Sequence, residues 1–316
     1  MNDRYCGVLC VDKPQGFTSF DVVAKVRGIA RTRRIGHAGT LDPMATGVLP
    51  LFLGRATKAV DLLPQQGKRY TAVIQLGLET DTWDVTGREL CRRPVEVSPE
   101  QLHRALDRYR GEFSQLPPMY SAVQVGGKRL YELARKGLEV ERAPRTVRID
   151  RLDLLDWDGA AGRLTLDVAC SKGTYIRSLA QDLGRDLGCG GTLAALRRTW
   201  AVGFGLEQCV TLEQLEQAAG EERLEELLLP VEQVFQSLPQ VGLKAKEARL
   251  FCNGVRLELE RVGVSAPEGT RLSVYGPSGQ FLAVAQAEEG QLRMIKQFLL
   301  GGEGDADLDR PGRGCL

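Results

Sequence analysis

Gly36-His37-Ala38-Gly39-Thr40-Leu41-Asp42-Pro43-Met44-Ala45-Thr46-Gly47-Val48-Leu49-Pro50 is the stretch on which the reading of this chain turns. Glycine and Asp-Pro are loop signals, so residues 36–47 predict a turn-rich segment, and Val48 to Leu53 reads as a buried strand. Just upstream, Thr18-Ser19-Phe20-Asp21 has the form of a capping box. Val22, Val23, Val26 and Ile29 follow at helical spacing, which predicts a helix over about 19–30. Its end carries Lys25, Arg27, Arg31, Arg33 and Arg34, with no acid between 24 and 34. Asp42 can therefore be read as a carboxylate on a rigid loop at the mouth of a cationic groove. It can equally be read as a turn former bonding its own backbone, and spacing alone leaves both open.

Further out, Arg69 to Gly77 alternates, with Tyr70, Ala72, Ile74 and Leu76 on one face of a predicted strand. Ser98-Pro99-Glu100-Gln101 opens a helix that Gly111 is expected to close. Residues 117–148 carry Pro-Pro, Gly-Gly and seven basic residues against three acids. Leu164 to Cys170 alternates as a strand. After Ser171-Lys172-Gly173, a helix is spaced by Ile176, Leu179, Leu183 and Leu187 and closed by Gly188. Residues 207–235 hold eight acids and one base with leucines at helical spacing. They predict a solvated amphipathic region remote from any polyanion. Beyond about 240, short apolar runs broken by Gly254, Gly263, Gly269, Gly276 and Gly279 suggest a small β-barrel of roughly sixty residues.

A length of 316 residues suggests two domains. A hydrophobic content of 43% supports packed cores, and no run approaches the roughly 18 apolar residues of a membrane helix. The first apolar run, Gly7 to Val11, ends at Asp12-Lys13-Pro14, too soon for a signal peptide, so a soluble cytoplasmic protein is expected. The balance of 42 basic to 41 acidic residues leaves the choice of partner to local patches. The eight cysteines form no C-x-x-C pair and read as reduced thiols. With only His37 and His103, a zinc site has little to build on, and a lone Asp42 is poor for hard cations. Asp81 and Asp84 could join it, although a strand-end turn with Gly87 is the simpler reading. No P-loop is present, and Gly188-Cys189-Gly190-Gly191 follows a helix rather than a strand, against a dinucleotide site.

The 36–50 stretch resembles the active-site motif of the TruB family of tRNA pseudouridine-55 synthases. Asp12-Lys13-Pro14-Gln15-Gly16-Phe17-Thr18-Ser19 resembles the family's N-terminal motif. Lys68-Arg69-Tyr70 resembles the strand with the active-site tyrosine, and Thr80-Asp81-Thr82-Trp83-Asp84 the turn after it. Pro117-Pro118-Met119-Tyr120-Ser121-Ala122 and Gly127 to Arg135 resemble the bacterial thumb-like insertion that grips RNA. Cys170 to Leu179 resembles the third catalytic motif, and Leu196-Arg197-Arg198 the next. Trp83 departs from the small residue expected between Thr82 and Asp84.

The resemblance implies an α+β pseudouridine-synthase fold, a mixed and mainly antiparallel central sheet flanked by helices and loops. The catalytic domain would span 1–238 with the insertion at 117–148. A PUA-like RNA-binding barrel would follow at 239–300; independently of the resemblance, the stretch 301–316, rich in Gly, Asp and Arg without apolar periodicity, reads as a disordered tail. Asp42 would be catalytic, Arg177 its partner, and Tyr70 would lie against the target uracil. His37, Asp84, Tyr175 and Leu196 would contact the substrate, and Arg33, Arg34, Lys128 and Arg129 the RNA backbone. No metal or cofactor is expected, because the reaction exchanges one glycosidic bond for another within a single nucleotide. The expected partner is the T-arm of tRNA, with no membrane, no obligatory protein partner and a monomeric state. The rival readings are a non-catalytic RNA-binding or RNA-folding protein, a glycosidase-like enzyme on nucleosides, and the catalytic subunit of a guide-RNA-dependent synthase. The glycosidase would want two facing carboxylates.

Overall fold

The computed structural model describes residues 5–64 and 67–298. The tail expected at 301–316 lies outside the described residues. In chain order the first strands are β1 (Gly7–Lys13), β2 (Ile35–His37), β3 (Thr46–Leu53), β4 (Lys68–Leu76), β5 (Leu78–Thr80) and β6 (Glu89–Arg92). Then come β7 (Gly111–Gln115), β8 (Gln124–Val125), β9 (Lys128–Arg129), β10 (Arg145–Asp158), β11 (Arg163–Cys170), β12 (Gly191–Ala201) and β13 (Phe204–Gly205). The last are β14 (Gln240–Gly242), β15 (Leu257–Glu258), β16 (Arg271–Tyr275), β17 (Phe281–Glu288) and β18 (Gln291–Gln297). The helices are α1 (Ser19–Ile29), α2 (Pro99–Asp107), α3 (Leu130–Ala134), α4 (Ile176–Asp186), α5 (Leu212–Gly220) and α6 (Ala245–Cys252).

The central sheet runs β1-β3-β12-β4-β11-β10-β7, with β2 added to β3 and β13 to β12. Its ladders are antiparallel except where Arg197 and Arg198 of β12 run parallel to Thr46 and Gly47 of β3. The period-two pattern of β4 turns Tyr70, Ala72, Ile74 and Leu76 into a core closed by α2 and α4, with Leu102, Leu106, Leu179 and Leu183. The opposite end of the sheet is covered by α1. Thr18 caps it, accepting from the Asp21 amide at 3.0 Å while the Asp21 carboxylate accepts from the Thr18 amide at 2.8 Å. Val22, Val23 and Val26 bury against Leu9, Leu49 and Leu51.

One expectation changes. Helix α2 ends at Asp107, because Tyr109 turns inward against α4, and Gly111 opens β7 instead of closing the helix. The acidic 207–235 segment packs beside the helix whose end is basic. Leu212 and Leu215 of α5 share the core of α1, and Glu216 meets Lys25 at 3.0 Å, since that leucine stripe must be buried somewhere. Cys10, Cys91, Cys170, Cys189, Cys209 and Cys252 are free thiols, as the absence of any C-x-x-C pair led us to expect.

The C-terminal strands form a curled five-stranded sheet, β14-β16-β17-β18-β15, with α6, a helix the glycine-broken pattern hid, packed on it through Ala248 and Phe251. The two sheets share one hydrophobic cluster. Phe52 and Phe204 of the first meet Phe281, Val284 and Phe298 of the second through Phe235, whose ring stacks on Phe281 at 5.8 Å. Among the described residues no helix is long and apolar enough to cross a membrane.

Candidate active site

Asp42 lies in the loop between β2 and β3, and that loop is held from three sides. Ser19, at the start of α1, accepts from the Leu41 amide at 2.8 Å and donates to its carbonyl at 3.3 Å. Lys13, fully buried at the end of β1, donates to the carbonyls of Pro14 at 2.9 Å, Phe17 at 2.5 Å and Pro43 at 3.3 Å. Burial lowers its ammonium to about 8, with the charge of Asp42 pulling the other way. On the third side, Arg198 of β12 is also fully buried and donates to the carbonyls of Val48 at 2.7 Å, Gly39 at 3.1 Å and Thr40 at 3.4 Å. Gly47 admits this arrangement: its φ is +101°, and a Cβ there would stand 2.1 Å from the Arg198 carbonyl.

So fixed, Asp42 presents Oδ2 to Arg177 Nε at 2.9 Å, while its Oδ1 has no hydrogen-bond partner among the described residues. Arg177 sits in the first turn of α4 and is 5% exposed. Its other nitrogens donate to the carbonyls of Tyr120 at 2.7 Å and Thr82 at 3.3 Å and face Asp84 at 3.7 Å. Asp84 is almost wholly buried and accepts from the Thr82 hydroxyl and the Thr86 amide, each at 3.0 Å. It therefore backs Arg177 rather than reaching open space. The Asp42 side chain is 36% exposed, yet its carboxyl lies above the usual aspartate range. Burial raises it more than Arg177 draws it back, and Asp84 adds to the rise. A nearby arginine alone would predict the opposite sign.

Tyr70 is buried on β4, opposite Arg198 in the ladder. Burial pushes its phenol up to about 12, against the pull of Arg198. Leu196 stands two residues along β12 and packs with Leu41, Met44, Ala45 and Tyr70 in one cluster. Tyr175 precedes α4, its backbone pinned by Gln115 at 2.8 and 3.0 Å and its side chain half-buried. His37 is half-buried on β2. Its imidazole is lowered by burial and by Arg198, and Nδ1 is buried without a hydrogen-bond partner among the described residues.

The residues expected on the RNA backbone lie apart from this centre. Arg33 lines a recess of about 650 Å³ with Arg27, Gly28, Arg31 and Thr32. Arg34 follows it, its carbonyl taking the Gly54 amide at 2.9 Å. Lys128 and Arg129 are exposed on the β8–β9 hairpin, with Arg129 bonded to the Tyr131 hydroxyl at 3.2 Å.

The model of the TruB family pseudouridylate synthase N-terminal domain matches residues 27–176, and the tRNA pseudouridylate synthase B C-terminal domain matches 177–236. The tRNA pseudouridine synthase B of Ralstonia nicotianae is 48% identical over 91% of this chain and 92% of its own. Those of Stutzerimonas stutzeri (45%, 90% and 92%) and Dehalococcoides mccartyi (43%, 93% and 96%) are similar. This chain belongs to the TruB family. A solved chain from a Cbf5-Nop10-Gar1 complex superposes with a TM-score of 0.73 at 26% identity, covering 93% of the TruB chain and 85% of its own.

The two TruB family matches meet at the first turn of α4, beside Arg177. Lys13, Ser19 and Arg198 lie within the TruB-like motifs, but their bracing of the Asp42 loop arises from long-range contacts. One signal pointed to Arg198: it shares the inward face of β12 with Leu196, and a cation on a buried face must meet acceptors.

Proposed function

We propose that this protein isomerises uridine to pseudouridine at position 55 in the T-loop of tRNA. The observation that carries the reading is the 2.9 Å contact of Asp42 with Arg177, on a loop tied down by Lys13, Ser19 and Arg198 and facing Tyr70. The reaction breaks the C1′–N1 bond and forms C1′–C5; the C5 proton is lost and N1 gains one. Asp42 can attack C1′, add to the ring or remove the 2′ proton, and each route needs an ionised, aimed oxygen. Arg177 engages Oδ2 and leaves Oδ1 for the nucleotide. Tyr70 is protonated at neutral pH, which suits it as a platform for the uracil; relaying the C5 proton is its second possible role. Tyr175 and Leu196 wall the base, and His37 lies toward the neighbouring bases.

The target base must leave its stack, at a cost of a few kcal/mol offset by pocket and backbone contacts. Arg33, Arg34, Lys128 and Arg129 are the cations we assign to that backbone, with 117–148 as the gripping insertion. The catalytic unit is 1–238 and the PUA-like unit 239–300. The enzyme acts in the cytoplasm as a monomer, without guide RNA or protein partner. Its full-length relatives at 43–48% identity bear the tRNA synthase name, whereas the Cbf5 likeness is at 26%.

The test is to treat unmodified tRNA with the purified protein and map pseudouridine. Product at position 55 with protein alone is expected. Binding without product returns the chain to an RNA-folding role, and product only with added guide RNA returns it to the guided class.

A further inference from the structure

Trp83 occupies the turn that holds Arg177, yet its backbone has φ +64°, a conformation in which a bulky residue is an outlier. Both neighbours serve the catalytic arginine: Thr82 through its carbonyl and Asp84 through its carboxylate. The Trp83 backbone is pinned as well, its carbonyl accepting from the Leu193 amide at 3.1 Å. What the indole itself meets is Arg142, whose guanidinium carbon lies 5.5 Å from the ring centroid.

Arg142 belongs to the far end of the 117–148 insertion. The residues around it are mostly exposed, but its own side chain is only 10% exposed. One nitrogen donates to the Pro117 carbonyl at 3.1 Å, closing the insertion at its root, and another meets exposed Glu139 at 3.3 Å. Among the described residues, the hydrogen bonds and ring contacts of 121–144 stay within that segment, except for those of Arg142. Meanwhile Arg177 holds the Tyr120 carbonyl, just before the segment begins. Two arginines thus fasten the insertion. Arg177 takes the entering strand and Arg142 the returning one, and both meet the 82–84 turn.

We infer that Trp83 and Arg142 form a clasp that seats the insertion against the catalytic turn, and that they are positioning residues for the RNA it grips. A strained backbone persists where surrounding structure over-determines it, and here the retained ring is the feature that glycine would lack. A largely desolvated guanidinium over indole is among the stronger cation–π pairs. The inference rests on the proposal that 117–148 grips RNA, and its test separates the two.

Amide hydrogen exchange is measured on the full chain, with kinetics on a T-arm stem-loop RNA. The variants are Trp83→Gly, which suits φ +64° and so folds, Arg142→Met, the double variant, and Trp83→Phe. The internally bonded amides of Leu130, Tyr131 and Leu138 should exchange about thirtyfold faster in each single variant, the size expected of one desolvated cation–π contact. The double variant should be no faster than the singles, and Trp83→Phe should behave as wild type. In Arg142→Met, KM for the RNA should rise by a similar factor, with kcat changed by less than about twofold, because Arg142 contacts Pro117, Glu139 and Trp83 rather than Asp42 or Arg177. Unchanged exchange in Trp83→Gly, or additive effects in the double variant, overturns the clasp. Faster exchange with unchanged KM upholds the clasp and overturns the gripping role of the insertion.

Discussion

Replacing Arg177 by methionine keeps the length of the side chain and removes its charge. Asp84, with 6% of its side chain exposed, then faces no cation, and the carbonyls of Thr82 and Tyr120 lose a donor. Removing one partner of a buried ion pair costs about 3–5 kcal/mol, mostly through the stranded charge. For a unit of this size each kcal/mol moves the melting temperature by roughly 2–4 °C, so a fall of about 6–20 °C is expected. Asp84→Asn in the same chain removes the stranded charge and should restore at least half of that loss. Activity should stay well below wild type, since Asp42 is no longer held, with a residual single-turnover rate from which the pH profile is read. The pH profile carries an independent sign. Asp42 must be ionised to act, and its carboxyl already lies above the usual aspartate range. Its single-turnover rate should therefore fall on acidification at a higher pH than an exposed aspartate would give. Without Arg177 the main downward pull is gone while burial remains, so that limb should move further up. The assays are thermal melting and tritium release from C5-labelled RNA between pH 5 and 8. A melting temperature within about 2 °C of wild type, additive losses in the double variant, or an unmoved acid limb would refute the reasoning.

Asp42→Asn should bind T-arm RNA within about twofold of wild type and release no tritium; turnover by a clean preparation removes Asp42 from the chemistry. Tyr70→Phe should also bind normally, and its single-turnover rate assigns the hydroxyl: a loss of about 10²–10⁴ means proton transfer, while an unchanged rate leaves only the platform. RNA affinity should fall steeply between 50 and roughly 200 mM salt, and Arg33→Ala should lower the slope of log K against log salt by about one. A slope equal to that of wild type detaches Arg33 from the RNA.

Three strands of the nine-stranded sheet were legible because they carry simple patterns, whereas β12, with Leu196 and Arg198, gave no such signal. The alternation at 69–77 gave β4, that at 164–170 gave β11, and the capping box at Thr18 marked α1. Gly111 misled because glycine marks a turn without saying which element follows it. The α5–α1 contact was invisible because charge pattern reports solvation and not which apolar stripe lies beneath. Within the site, Asp42 and Arg177 were reached through motif resemblance, since residues 135 positions apart share no local signal. The sign of the Asp42 shift could not be read at all, because it depends on how burial competes with Arg177. Asp84 illustrates the same limit. Its turn chemistry was legible from Gly87, but its place behind Arg177 depends on Leu193 of β12 holding the turn beside α4.

The fastening of the Asp42 loop by Arg198 spans 158 positions of sequence. A growing chain that has emerged only as far as the thumb already contains the aspartate and the tyrosine, but three carbonyls of the loop have no donor until β12 arrives and slots beside β3. Nascent fragments, and products truncated before β12, therefore carry the reactive carboxylate on a loop braced by Lys13 and Ser19 alone. Competence to act on RNA is acquired late in synthesis, in a single closing step, rather than accumulating as the polypeptide lengthens.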